Sequence, residues 1–364
     1  MQFIHGAESY TIATPEVELA CTRAGGMMAP VRFNLDGRWV QPYSLPPWQP
    51  QEVVPSTPAI LKTVRGDFFG LPFGEHPVHG IHGDSPNMEW TAVWEQGDGL
   101  IMQLKMKTLP GSIRKTLQLR PGQRAVYQEH RVSGLDGRFN YGYHATLKFP
   151  DEGGPYWVNT SPFKFGSTFP GVFSDSAKGE SGALKSNARF TSLAAVPLAA
   201  GGTTSLNQYP ARDGNEDLIM VTSRDEDFAW TAATMDGFIW LSLKNPRVLP
   251  STLFWISNGG RPQAPWSGRH RRRIGLEEVN GYFCNDLEQS RQDLLKADGV
   301  PTTAEFSAKR PTSVRSIHVV HPVPADFGMV TEVVRARDGM VRATGANGAA
   351  VDVPVDWSFL GAGG

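Results

Sequence analysis

The chain has 364 residues, 40% of them hydrophobic, and a formal net charge of -1. That balance supports a packed core but excludes the global field that draws a protein to nucleic acid or an anionic membrane. No apolar run approaches the ~20 residues that cross a bilayer.

Glycine (39) and proline (28) are spread along the chain rather than gathered in a linker, which predicts many turns between short strands. In chain order, SYTIA, VELACT, MMAPVRFNL and RWVQPY read as strands over residues 9–43, with Asp36-Gly37 as a hairpin signal. Residues 45–58 are proline-rich and predict an extended loop, in which Trp48 can anchor the loop or close over a ligand. From Trp90 onward, WTAVWEQ, GLIMQLKMKTL, SIRKTLQLR, AVYQEHRVSG and FNYGYHATLKF alternate as antiparallel strands do. LIMVTSR, FAWTAAT, GFIWLSLK, STLFWISN and RIGLEEV continue the pattern after an aromatic loop at 155–175. NDLEQSRQDLLKA (285–297) predicts the one helix, with Asn285 as cap and Glu288 three residues on. Strands return after residue 300. The reading is all-β: one large antiparallel β-sandwich over 1–364, with a strand-rich extension from about 300 to 364.

Two cysteines, Cys21 and Cys284, do not make a disulfide framework and read as reduced thiols in a cytoplasmic protein. The N-terminus MQFIHGAESYTI shows no secretory pattern. The open edges of a large sheet fit a monomer or a homodimer.

Residues 65–90, RGDFFGLPFGEHPVHGIHGDSPNMEW, concentrate the chemistry. Arg65, three histidines (His76, His79, His82), Asp67, Asp84, Asn87 and Trp90 are set among glycines and prolines, where backbone can approach a ligand closely. The histidine spacing raises a metal site of cupin type as an alternative.

The order of motifs resembles the aldose 1-epimerase (galactose mutarotase) superfamily, including its hexose-6-phosphate epimerase branch. ACTRAGGMMAPVRF resembles its opening strand and Gly-Gly turn. RGDFFGLPFG, HGIHG and Trp90 resemble its Arg-Gly, His-Gly and tryptophan series; YHATLKF and RIGLEEV resemble its later histidine and glutamate motifs. The resemblance implies a β-supersandwich that binds a sugar and exchanges its anomers without metal or cofactor. It implies Glu277 as base, His144 as acid, and Arg65 and His79 as ligands to hydroxyls, with Asp217 a further candidate.

Strand alternation adds its own argument. His144 falls on the polar face of 141–149, and Glu277 shares a face with Arg271 and Arg273, while Glu278 points inward. Arg273 on that face admits an anionic sugar. His82 and Trp90 complete the candidate substrate contacts. A sugar-binding protein without chemistry, and a hydrolase or lyase pairing Glu277 with Asp67, Asp84 or Asp217, are the competing readings.

Overall fold

The computed structural model describes residues 1–337 and 339–361. Alternating strands pair into two large antiparallel sheets laid face to face. The first has nine strands, in the order Gln208–Tyr209, Tyr156–Thr160, Ala229–Met235, Phe238–Lys244, Thr312–Pro322, Ala125–Ser133, Ser112–Leu119, Gly99–Lys105 and Thr91–Gln96. The second is built around Phe163–Thr168, Glu216–Ser223, Ser251–Ser257 and Arg273–Asn280. Against Arg273–Asn280 pair both Tyr141–Tyr143 and Ala145–Lys148, so His144 occupies the break between two short strands. An N-terminal five-stranded sheet, Gln2–Ile4 to Arg38–Val40, flanks the sandwich.

The core between the sheets comes from one face of each. Leu117, Val126, Val314 and Trp240 on the nine-stranded side meet Ile219, Val221, Phe254 and Leu276 on the other. The opposite face of the second sheet is apolar too, with Leu218, Met220, Leu253, Trp255 and Val279 packed under Phe73, Trp266 and Phe283. Strands buried on both faces carry unbroken apolar runs, which is why LIMV and LFWI lack clean alternation.

The segment after residue 300 is of two kinds. Thr312–Pro322 lies inside the nine-stranded sheet, between Phe238–Lys244 and Ala125–Ser133, and is not an extension of it. The added layer is the three-stranded sheet Val330–Arg335, Met340–Gly345 and Ala350–Pro354. Its Val333, Val341, Ala343 and Val353 cover Tyr127, Ile239, Leu241 and Val319 on the outer face of the nine-stranded sheet.

The helix expected over 285–297 is shorter. It spans Leu287–Arg291, and its cap is Asp286, whose Oδ1 accepts the Gln289 N–H at 2.8 Å. Asp293, at φ 54, turns the chain out of the helix. A second short helix, Ala59–Thr63, ends the proline-rich loop. Trp48 anchors that loop: it is buried, donates to the Leu61 carbonyl at 3.1 Å and meets Trp266 edge-on at 5.1 Å.

No helix among the described residues is long and apolar enough to cross a membrane.

Candidate active site

A cavity of about 860 Å³ opens over the second sheet, on the side away from the nine-stranded one. Its floor carries His144 and Glu277; Phe68, Phe173, Trp255 and Trp266 form aromatic walls. Strand register explains the floor. Glu277 faces out of Arg273–Asn280 on the cavity side, and its neighbour Glu278 points into the sandwich to Lys244. Gly275, two residues before Glu277 on the same face, leaves the carboxylate its room. A methyl group there would stand 2.5 Å from Glu277 Oε1.

His144 Nε2 lies 3.2 Å from Glu277 Oε1, and both side chains are almost wholly buried. The Phe68 ring stacks on the imidazole at 4.5 Å, and the Phe68 carbonyl accepts the His144 N–H at 2.8 Å. Both ionisation equilibria follow from burial. Loss of water holds the Glu277 carboxyl protonated well above the usual carboxylate range, and pushes His144 down to about 4. Burial therefore favours a proton on the carboxyl and an unprotonated ring nitrogen facing it. Thr146 Oγ1 sits 3.3 Å from Nδ1, where it can take the ring N–H and leave Nε2 toward the carboxyl.

His82 enters the same cavity from the loop after Phe69. Its backbone is left-handed, at φ 59, an uncommon conformation for a residue with a side chain. Its Nδ1 accepts the Gly74 N–H at 3.1 Å, which leaves the proton on Nε2 as a donor. Burial keeps the ring neutral, well below its ordinary value.

The other expected site residues lie elsewhere. Arg65 is buried, but its guanidinium is taken up by the backbone carbonyls of Thr63, Ile4 and His5, so it ties the loop to the N-terminal hairpin. His79 lies outside the cavity, with Nδ1 2.7 Å from Thr108 Oγ1 and its ring 4.4 Å from that of His76. Trp90 is a core residue whose indole donates to the Ser85 carbonyl at 2.9 Å. Asp217 turns to the opposite side of its strand and accepts the N–H groups of Ala183 and Leu184, each at 3.1 Å. Arg273 donates to Ser44 Oγ at 2.8 Å and to the carbonyl of Arg271 at 2.8 Å, which takes it away from any sugar. Arg269 and Arg271 pair outward with Glu52 and Asp213.

These placements also bear on the competing chemistries. Asp67 is buried in the sandwich, where Gln128 donates to it at 2.6 Å; Asp84 accepts the N–H groups of Lys107 and Thr108. None of Asp67, Asp84 and Asp217 faces Glu277 across the cavity, so the carboxylate pair of a glycosidase is not assembled from them. His76 lines the cavity with His82 while His79 turns to Thr108, and the three histidines do not converge. Among the described residues, no group of three His, Cys, Asp or Glu is placed to hold a metal ion. Cys21 and Cys284 are free thiols, and Cys284 lines the cavity with its pKa pushed by burial up to about 12.

Residues that sequence reasoning did not single out complete the walls. Trp255 stands opposite Gly275 in the register of neighbouring strands, so the parity argument that located Glu277 reaches it as well. Glu216 shares the cavity-side face with Leu218, where the expected residue was Asp217. Its carboxyl accepts Trp255 Nε1 at 3.0 Å and Ser257 Oγ at 2.7 Å, and burial raises it to about 7. Arg261 follows a Gly-Gly turn, in a loop with no periodicity to read.

No protein-family profile matches the sequence, and no curated protein matches it. Solved structures do. A galactose mutarotase related enzyme from Lactobacillus acidophilus superposes with a TM-score of 0.58 at 14% identity, covering 87% of this chain and 98% of the other. A galactose mutarotase-like protein from Lactobacillus casei gives 0.57 at 11% identity, with 86% and 100% covered. At such identities the likeness is one of architecture, and the chain has the galactose mutarotase-like fold.

Proposed function

We propose that the cavity interconverts the α and β anomers of an uncharged aldose, with Glu277 and His144 as the proton-transfer pair. The observation that carries the reading is the 3.2 Å approach of His144 Nε2 to Glu277 Oε1 on the floor of an aromatic-walled cavity.

Passing the Glu277 proton to His144 gives a carboxylate and an imidazolium. The carboxylate takes the proton of the anomeric hydroxyl while the imidazolium protonates the ring oxygen. The bond between the anomeric carbon and the ring oxygen breaks, and the anomeric C–O becomes a carbonyl. Rotation about the adjacent C–C bond presents the other carbonyl face, and the reverse transfers close the ring. Each positioned transfer is worth roughly two to four powers of ten. His82 Nε2–H and the aromatic walls supply hydrogen bonding and flat apolar surface to the sugar.

The charge at the rim favours an uncharged substrate. Glu75, Asp175, Glu180 and Asp286 line it against Lys178 and Arg261. A phosphate or carboxylate entering there meets more negative charge than positive.

The test is exchange NMR on free and phosphorylated hexoses and pentoses. Faster α–β exchange on free sugars, lost in Glu277→Gln, is the expected result. Saturation of sugar signals without faster exchange would make this a carbohydrate-binding protein on the same fold.

A further inference from the structure

Arg261 lines the cavity, and the proton-transfer pair leaves its chemistry unused. Its guanidinium carbon lies 5.5 Å from the ring centre of Phe173, 5.3 Å from that of Trp255 and 5.2 Å from that of Trp266. Three aromatic faces hold a guanidinium by its plane and leave its N–H edge as the part that can act. That edge is ion-paired to Glu216 but makes no hydrogen bond among the described residues. Among the described residues the Nε is buried without a hydrogen-bond partner, and the nearest carboxylate, Glu216 Oε2, stands 3.7 Å away, beyond hydrogen-bond reach. A buried N–H without an acceptor is costly, and the rest of the guanidinium is open to an acceptor in the cavity.

The setting fixes the arginine in place. Gly260 packs directly on the Glu216 backbone, where a methyl group would meet Glu216 N at 2.7 Å, so only glycine lets the turn before Arg261 sit this close to Glu216. Glu216 in turn holds the Trp255 indole through its N–H. Trp255 also meets His144, edge to face at 5.8 Å. One indole thus separates the proton-transfer pair from the guanidinium.

We propose that Arg261 orients the sugar, its N–H fork donating to two neighbouring ring hydroxyls across Trp255 from His144. Adjacent hydroxyl oxygens suit a planar fork, whereas a lysine ammonium has no fork to offer. Glu216 behind the guanidinium offsets its charge, so the fork acts as a hydrogen-bond donor to neutral oxygens more than as an anion trap. This inference rests on the sugar reading of the cavity, and names the contact that selects among sugars.

The test measures binding, which does not depend on turnover. Dissociation constants for D-glucose, D-galactose, D-xylose and their singly deoxygenated analogues are obtained by saturation-transfer NMR. The proteins are wild type, Arg261→Met and Arg261→Lys, with thermal melts run alongside. In Arg261→Met the best parent sugar weakens about tenfold or more. The analogue lacking a grasped hydroxyl, already weak on wild type, then binds the variant about as well as the parent does. Arg261→Lys restores only part of the loss, and it decides the matter alone should the methionine variant not fold. Three results would overturn the assignment: equal weakening of every sugar, deoxy analogues included, as a merely bracing arginine would give; no weakening at all; or no sugar bound by wild type. If sugars bind and exchange is not accelerated, the anomer-exchange reading fails while the Arg261 contrast among analogues remains.

Discussion

The Lys244 ammonium and the Glu278 carboxylate meet 2.5 Å apart with no solvent exposure to speak of, one residue along the strand from the carboxyl that faces the cavity. Two adjacent glutamates on one strand thus have opposite fates. Glu278 is held by Lys244, Thr231 and Thr252 inside the sandwich, while Glu277 is paired with the neutral His144. Glu278→Gln should leave Lys244 charged and poorly paired, at a cost of about 3–5 kcal/mol. Replacing both residues together with leucine and methionine should recover most of that loss. Urea unfolding of the single and double variants checks both.

Glu277→Gln should behave in the opposite way. It removes a buried carboxyl with no cation to balance it, so stability is kept or slightly raised. Exchange should fall by about two to four powers of ten, because the carboxylate that accepts the anomeric proton is gone. His144→Ala should lose as much. Exchange NMR and thermal melts on the same preparations separate the chemistry from the fold.

The pair also sets a pH profile. Activity needs one proton shared between Glu277 and His144. A second proton arrives only as pH falls toward about 4, where His144 titrates, and the shared one leaves only well above the usual carboxylate range. Exchange rate should therefore drop on the acid side near pH 4 and, on the basic side, only well above the usual carboxylate range. The two limbs belong to the coupled pair rather than to either residue. A rate unchanged through pH 4, or one that falls on the basic side within the ordinary carboxylate range, would contradict this assignment.

Gly275→Ala places a methyl group on Glu277 Oε1. The carboxylate must move, and a displacement of about 1 Å can cost roughly a hundredfold in rate. The strand keeps its register, so near-ultraviolet circular dichroism should change little while exchange is lost.

Asp67 offers a test on stability. Burial raises its carboxyl from 3.8 to about 6, so the folded protein binds the proton more tightly than the unfolded chain does. The contribution of Asp67 to stability is accordingly highest below its unfolded pKa and is lost as pH rises through about 6. Relative to Asp67→Asn, wild type should lose on the order of 3 kcal/mol between acid below the unfolded value of 3.8 and neutrality, read as a shift in urea midpoint.

Alternation and turn chemistry carried the sequence reading a long way. The all-β class, the antiparallel strands and the opposite faces of Glu277 and Glu278 follow from a period of two, which backbone geometry imposes on any half-buried strand. Arg65, Trp90 and Arg273 show where that kind of reading ends. Each is a residue type that binds sugars well, but hydrogen bonds to distant backbone or side-chain groups (Ile4 and His5, Ser85, Ser44) took up its polar atoms, and those partners are fixed by tertiary packing. Asp217 shows a different limit: a one-residue ambiguity of face exchanged it with Glu216. Arg261 lay beyond reach because a loop has no period, and its meaning depends on three rings drawn from separate segments.

The position of Thr312–Pro322 governs the order in which the protein can assemble on the ribosome. Its neighbours in the nine-stranded sheet, Ala125–Ser133 and Phe238–Lys244, are synthesised long before it, and each must wait with an open inner edge. Until residue 322 emerges, the nascent chain carries two unpaired strand edges of the sort that join other chains. A stop or a cleavage upstream of this strand would thus release a sheet split down its middle, not a smaller working domain.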